Sequence, residues 1–429
     1  MDDVDVAIVG RGAIGLAAAL ALARPGRRLA LVGAAAAAPD GTAPSAPGPI
    51  PAADDWDPRV FALSPAARSL LEAVGVWQHL DPGRIAPVYD MRIVNASGHA
   101  LPELHLDAYR ARIEALAWIV ENRELQAALH RALARAVGDG AITEVFATVT
   151  GLRLPSHGWS RSEPVQVMLD GRRGLAAGLV VAADGIDSAV REMAGIDARR
   201  IDHRQTAIVA NFETERPTRD VAWQWFSAAG ITALLPLPPP VPAVGETEGE
   251  WRGRVSLVWS VPDAQLEAAR ARPLTESIAA ISAGRLGRMR QISATRSFPL
   301  RSIRTRTVLA PGVVVIGDAA HAVHPMAGQG MNLGFGDVSA LAAALGSPTV
   351  PAPGVVTEPA VGYLALRRYE RARAEAVFTM QAGLAALERL FAPPPVALPP
   401  PLAGLRDLGW RMVAHSPWLR RRMVRQAAG

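Results

Sequence analysis

The sequence has no cysteine, and all 45 of its basic residues are arginines, so lysine is missing too. Without cysteine there is no disulfide, no thiolate nucleophile and no cysteine-held zinc or iron–sulfur centre. Without lysine there is no Schiff base to pyridoxal phosphate and no lysine of a phosphate-binding P-loop. Aromatic residues are scarce, at 5%. No run reaches the roughly 18 consecutive apolar residues of a membrane span. The acidic start, Met1-Asp2-Asp3-Val4-Asp5, lacks the basic residues of a secretory signal. The expected location is therefore the cytoplasm. Basic residues interleaved with aromatics along a face are not found, so a nucleic-acid partner is not expected.

Half of the 429 residues are apolar, enough for two or three packed units. Four stretches rich in Pro, Ala and Gly read as exposed loops: Ala34–Ala53, Pro236–Gly249, Ser347–Pro359 and Ala392–Pro401. Between them, short apolar strands alternate with alanine- and leucine-rich helices, which argues an α/β (α+β) protein. Asn122 is placed to cap a helix with Leu125, Leu129, Leu133 and Val137 on one face. From about residue 201 to 300 the runs lengthen and read as a separate sheet-rich unit. From Leu402 onward there are six arginines against one acid, Asp407, mixed with leucines at helical spacing. Such an end suits either an anionic membrane surface or a helix docked on the protein.

Three segments carry chemistry. Val4–Val9 is a buried strand, followed by Gly10-Arg11-Gly12-Ala13-Ile14-Gly15, a helix and a second strand at Arg28–Val32. This strand–turn–helix context is what a dinucleotide fingerprint requires: Gly10 for the tight turn, Gly12 for approach of a pyrophosphate, Gly15 for helix packing. The helix start offers unpaired N–H groups to phosphate. The second strand, however, ends Leu31-Val32-Gly33, with glycine where an acid normally holds the adenosine ribose. Either another group holds that ribose or affinity is reduced. The second segment, Ala183-Asp184-Gly185 through Arg191, follows a strand and reads as a capped surface turn or a cofactor loop. The third runs from Val315 to Gly334. Asp318 at its strand end is an acceptor suited to a sugar hydroxyl. His321, His324 and Pro325 follow, and a turn from Gly328 to Gly330 opens a long helix whose N-terminus favours negative charge.

Together, Gly10–Gly15, Ala183–Arg191 and Gly317–Gly334 resemble the three fingerprints of the FAD-dependent aromatic hydroxylases of the para-hydroxybenzoate hydroxylase superfamily. The string from His321 through Pro325 to Asn332 is similar to that of the ubiquinone-biosynthesis hydroxylases. Asp57–Leu63, Gly75-Val76-Trp77 and Val120–Arg123 extend the likeness. The resemblance implies a three-layer, Rossmann-like FAD-binding domain assembled from 1–85, 119–200 and 301–345. It also implies a β-sheet substrate domain of 86–118 and 201–300, and a helical C-terminal region, 346–429. Gly10, Gly12, Gly15, Arg59, Arg123, Asp184, Asp318, Gly328, Gly330, Met331 and Asn332 would bind FAD. His321, His324 and Pro325 are catalytic candidates by location only, and no metal is expected. The implied activity is a monooxygenase: NAD(P)H reduces the flavin, O2 forms a C4a-hydroperoxide, and OH passes to the ring of a prenylated phenol. An apolar tunnel for the prenyl tail, partner proteins of ubiquinone synthesis and peripheral contact with the inner membrane belong to the same expectation. Three other functions stay open: hydroxylation of a soluble aromatic, reduction of a prenyl chain, or a flavin-free scaffold of a quinone-synthesis complex.

Overall fold

The computed structural model describes residues 2–34, 55–95, 102–159, 163–171, 174–227, 229–240, 250–323, 330–346 and 362–391, together with 410–412, 416, 418, 420, 421 and 424. The chain begins β1 (Asp2–Val9), α1 (Ala13–Leu22), β2 (Leu29–Gly33), β3 (Val60–Leu63) and α2 (Pro65–Ala73). Next come β4 (Ile85–Val88), β5 (Asp90–Asn95), β6 (Leu104–Asp107), α3 (Ala108–Ala111), β7 (Ala117–Glu121) and α4 (Asn122–Gly138). Then follow β8 (Thr143–Phe146), β9 (Val149–Arg153), β10 (Val165–Leu169), β11 (Leu175–Ala182) and α5 (Ala189–Met193). The middle holds β12 (Ala198–Thr214), β13 (Val221–Ser227), β14 (Gly230–Leu237), β15 (Gly253–Pro262), α6 (Leu266–Arg270) and α7 (Leu274–Ser282). The last are β16 (Met289–Gln291), β17 (Arg296–Thr305), β18 (Leu309–Ala310), β19 (Val313–Val315), β20 (His321–Ala322), α8 (Gly330–Gly346) and α9 (Tyr363–Phe391).

One sheet has the order β18-β19-β11-β1-β2-β8, with β19, β11, β1, β2 and β8 parallel and β9–β10 folded back antiparallel on β11. A parallel sheet must be covered on both faces, so its strands are apolar at successive positions rather than at alternate ones. Val6, Ile8, Leu29 and Leu31 point into a core shared with α1, α4 and α8. Ala7, Val9, Ala30 and Val32 point the other way, toward β9, β10 and α5. This is the three-layer arrangement of the expected mixed α/β class. Two helix details differ from the sequence expectation. Glu121, not Asn122, is the N-cap of α4, and it makes no side-chain cap because its carboxylate is taken by Arg84 and by the Asp57 amide. Val137 is only half-buried, while Leu125, Leu129 and Leu133 are buried as expected.

The second sheet runs β20-β17-β12-β15-β14-β13-β5-β6, with β16 on β12. Its first two strands in the chain are β5 and β6, the rest run from Ala198 to Thr305, and β20 returns from the third motif to pair with β17. Phe212, Leu234, Val255 and Leu257 are fully buried between this sheet and α6–α7. Each contributes about 1.5–3 kcal/mol. A small sheet, β3-β7-β4, sits between the two and packs on the large one through Trp56, Ile119, Ala222 and Leu237.

Candidate functional site

The carboxyl ends of β1, β2, β11 and β19 lie side by side, and in an open parallel sheet ligands bind outside such ends where strand order reverses. Here the reversal is at β1, with β2 on one side and β11 on the other. The three sequence motifs meet at this edge. Gly10 has φ +119°, a left-handed conformation, and a side chain there would fall on the Ala183 carbonyl. A side chain at Gly15 would fall on the Gly10 carbonyl, whereas one at Gly12 meets nothing within 4 Å. The turn is thus closed on two sides and open at Gly12. Gly12 is also the N-cap of α1, with no side-chain cap and no acid in the first turn, leaving its N–H groups for an anion.

The third motif docks on the first through Ile14, which touches Gly317; a Cβ at Gly334 would come within 2.7 Å of Ile14. It is tied to the second by Arg191, which is 1% exposed and donates to the Ala319 and Ile186 carbonyls at 3.0 and 3.1 Å. Asp184 itself faces inward on its own turn. Its carboxylate accepts from the Ser188 hydroxyl and from the Val190 amide at 3.1 Å.

Asp318 stands at the tip of the loop, reachable by water yet crowded by protein. That crowding raises its carboxyl above the usual range, with His321 and Arg59 opposing. The loop is held from behind by Asp337 on α8, which is fully buried. Its carboxylate accepts from the Gly317 amide at 2.8 Å and from Arg373 Nε at 2.7 Å. His321 Nε2 lies 2.7 Å from the same carboxylate, askew to a good hydrogen-bond line, so the contact is one of charge. Burial alone would raise Asp337, but His321 and Arg373 outweigh it and hold the acid below its ordinary value. Burial would lower His321, and Asp337 reverses that. His321 is 4% exposed and holds this network together rather than facing the open edge. Asp337 and Arg373 were not singled out from the sequence; a charged residue amid the apolar face of α8 was the one available signal.

The two predicted arginines differ. Arg123 is tied to Asp55, by Nη1 to the carboxylate at 2.7 Å and by Nη2 to the carbonyl at 2.6 Å. Arg59 is exposed, lies over the rings of Phe298 (5.2 Å) and Phe61 (6.0 Å), and is close enough to Asp318 to oppose the rise of its carboxyl. Asp57 positions both arginines, accepting from the Arg59 amide at 2.9 Å and the Arg123 amide at 3.0 Å. Asn332 bridges α8 to β3, donating to Ala62 O at 2.8 Å and accepting from Ser64 N at 2.9 Å. Gly330 opens α8, and Met331 packs half-buried on the core of the parallel sheet. His324, Pro325 and Gly328 lie outside the described residues.

The open Gly12 turn, the acceptor at Asp318 and the exposed cation at Arg59 fit a phosphate-bearing cofactor with a polyhydroxyl chain. Comparison with known proteins names it. The FAD binding domain family matches residues 96–350, more than half of the chain. The 3-demethoxyubiquinol 3-hydroxylase of Escherichia coli K12 is 32% identical, over 99% of this chain and 98% of that one. Ubiquinone hydroxylase UbiL of Rhodospirillum rubrum is 33% identical, over 99% and 89%. Among solved structures, p-nitrophenol 4-monooxygenase PnpA of Pseudomonas putida shares the fold over 100% and 99% of the two chains, with TM-score 0.71 and 17% identity. HpxO of Klebsiella pneumoniae, complexed with FAD, does so over 99% of each, with TM-score 0.67 and 17% identity. The chain belongs to the FAD-binding monooxygenase family, in the branch of the ubiquinone-biosynthesis hydroxylases.

Proposed function

We propose that this chain hydroxylates the aromatic ring of a prenylated phenol in ubiquinone biosynthesis, using O2 and electrons from NAD(P)H. The observation that supports it most is the meeting of the Gly12 turn, Asp318 and Arg59 at the carboxyl edge of the parallel sheet. Bound FAD supplies the oxygen activation that the protein's own side chains lack. Gly10, Gly12 and Gly15 shape the pyrophosphate turn, and the N-terminus of α1 faces the phosphates. Asp318 accepts a hydroxyl of the flavin's sugar-like chain. Arg59 would offset negative charge on the bound flavin, and the N-terminus of α8, with Gly330, Met331 and Asn332, would do so through its backbone N–H groups. In this reading His321 is a positioning residue, acting through Asp337 on the loop that carries Asp318. Arg123 and Asp184 shape the cofactor's surroundings through Asp55 and α5.

No helix among the described residues is long and apolar enough to cross a membrane. A substrate with a prenyl tail would be met at the bilayer surface, in contact with the C-terminal tail, alongside other proteins of the same pathway. The test is the absorption spectrum of the purified protein, then oxygen uptake with NADH or NADPH and a prenylated phenol. Flavin bands, released FAD and phenol-dependent oxygen uptake are expected. Equal turnover of short soluble phenols would shift the reading to a soluble ring, and a protein that takes up no FAD would sink it.

A further inference from the structure

The adenosine end of the site is built differently from its phosphate end. β2 ends in Gly33, where the dinucleotide fold places the acid that binds the ribose. A Cβ at Gly33 would lie 2.9 Å from Cγ and 3.2 Å from Cδ of Arg11, so the stem of Arg11 fills that place. Arg11 belongs to the phosphate turn, between Gly10 and Gly12. Its guanidinium reaches across the end of β2 to the neighbouring strand, β8. There it pairs with Glu144 and lies 4.5 Å from the centre of the Phe146 ring. The register fixes this geometry: Leu31 stands opposite Glu144 and Gly33 opposite Phe146. The Arg11 side chain is only 11% exposed. Nη2 is taken by Glu144, but Nη1 is buried and has no hydrogen-bond partner among the described residues. A buried donor left unpaired is costly, so it calls for an acceptor beyond the described residues. Phe146 in turn lines a recess with Ala34, Ala147 and Asp170.

We propose that Arg11 and Glu144 together form the adenosine-ribose subsite for FAD, in place of the acid that position 33 lacks; this rests on the FAD reading above. A ribose hydroxyl both accepts and donates a hydrogen bond. Arg11 Nη1 answers its acceptor side and the Glu144 carboxylate its donor side. The carboxylate has moved from the end of β2 to the adjacent strand, and glycine at 33 is the condition that lets Arg11 pass. Positions 11, 33 and 144 are thus one unit: with Arg11 laid across β2 toward Glu144, a side chain at 33 would displace its stem.

The test is equilibrium binding of FAD and of FMN to the apoprotein, followed by flavin fluorescence, with the apoprotein melting temperature measured alongside. FMN has the flavin and one phosphate but no adenosine. Arg11→Ala is expected to weaken FAD roughly ten- to a hundredfold, the size of one charge-assisted hydrogen bond, and FMN by less than about threefold. The near-isosteric Glu144→Gln should weaken FAD in the same direction without lowering the melting temperature. Arg11→Ala combined with Gly33→Glu should recover most of the lost FAD affinity, because the usual acid then has room. The assignment is overturned if Arg11→Ala and Glu144→Gln bind FAD as tightly as the native chain. It is equally overturned if both lose FAD and FMN alike. Because the readout is binding, a failure here leaves the hydroxylation of a prenylated phenol standing, and failure of that reaction leaves this result standing.

Discussion

Gly12 and Gly15 are three residues apart, yet the same added methyl group has different consequences at each. At Gly15 it meets the Gly10 carbonyl, backbone that cannot yield without opening the turn. At Gly12 it meets only the space a phosphate would use. Gly15→Ala is therefore expected to destabilise the apoprotein by about 3 kcal/mol, an overpacking cost. Gly12→Ala should leave the melting temperature of the apoprotein unchanged while weakening FAD at least tenfold. Denaturant unfolding of the two apoproteins and a flavin titration separate these outcomes, and equal destabilisation of both would refute the distinction. These glycines were legible in the sequence because their reasons are local: one turn, one strand before it, one helix after it. The role of Arg11 was not, since Glu144 lies 133 residues away and only the pairing of β2 with β8 brings them together. The same holds for Asp57, whose contact to Arg123 depends on β3 pairing with β7.

The loop between β19 and α8 is positioned by charges buried beneath it, and that makes its stability a function of pH. The folded value of His321 is raised above that of a free histidine, so the stabilisation it contributes is complete below about pH 6.5 and lost as pH rises through the raised value. Asp337 is held low, so its contribution is present above the ordinary carboxylate range and lost as pH falls through its depressed value. Both are in force near pH 6. The stability difference between the native chain and His321→Gln is expected to be largest there and clearly smaller at pH 9, as read from denaturant midpoints. A constant difference would mean that the imidazole acts by packing alone. Asp337→Asn leaves His321 and Arg373 without their common acid and should cost about 3–5 kcal/mol, the usual result of breaking a buried pair from one side. At this scale the strands and helices of the parallel sheet were readable, because burial on both faces gives continuous apolar runs. The large sheet was readable only as a region of long strands. That β5 would pair in parallel with β13, more than a hundred residues on, follows from no local pattern.

For the molecule as a whole, the C-terminal tail has two faces. One docks: Trp410 Nε1 donates to Pro102 O at 2.7 Å, Arg420 to His105 O at 3.3 Å, and Val424 is 5% exposed. The other is largely exposed: Trp418 is 63% exposed, Met412 57%, and Tyr109, beside Arg110 on α3, 90%. Arg110 and Arg421 border the same recess as Arg420. Aromatic and sulfur side chains ringed by arginines suit the headgroup layer of an anionic bilayer, where apolar burial and charge attraction add. The protein is then expected to co-sediment with vesicles containing an anionic lipid more than with neutral ones, and less in high salt, since screening shortens the reach of the arginines. Trp418→Ala should weaken binding through lost burial, with the salt dependence retained. Arg421→Gln should weaken it roughly fivefold, the equivalent of about 1 kcal/mol for one arginine near the surface, and flatten the salt dependence. FAD content should stay the same in both variants, because neither residue lies at the strand ends. Equal binding to neutral vesicles, or no change with either variant, would leave the tail as a docked segment alone. The sequence could not separate these two roles because both use leucines and arginines at helical spacing; what divides them is which residues the β5–β6 hairpin covers.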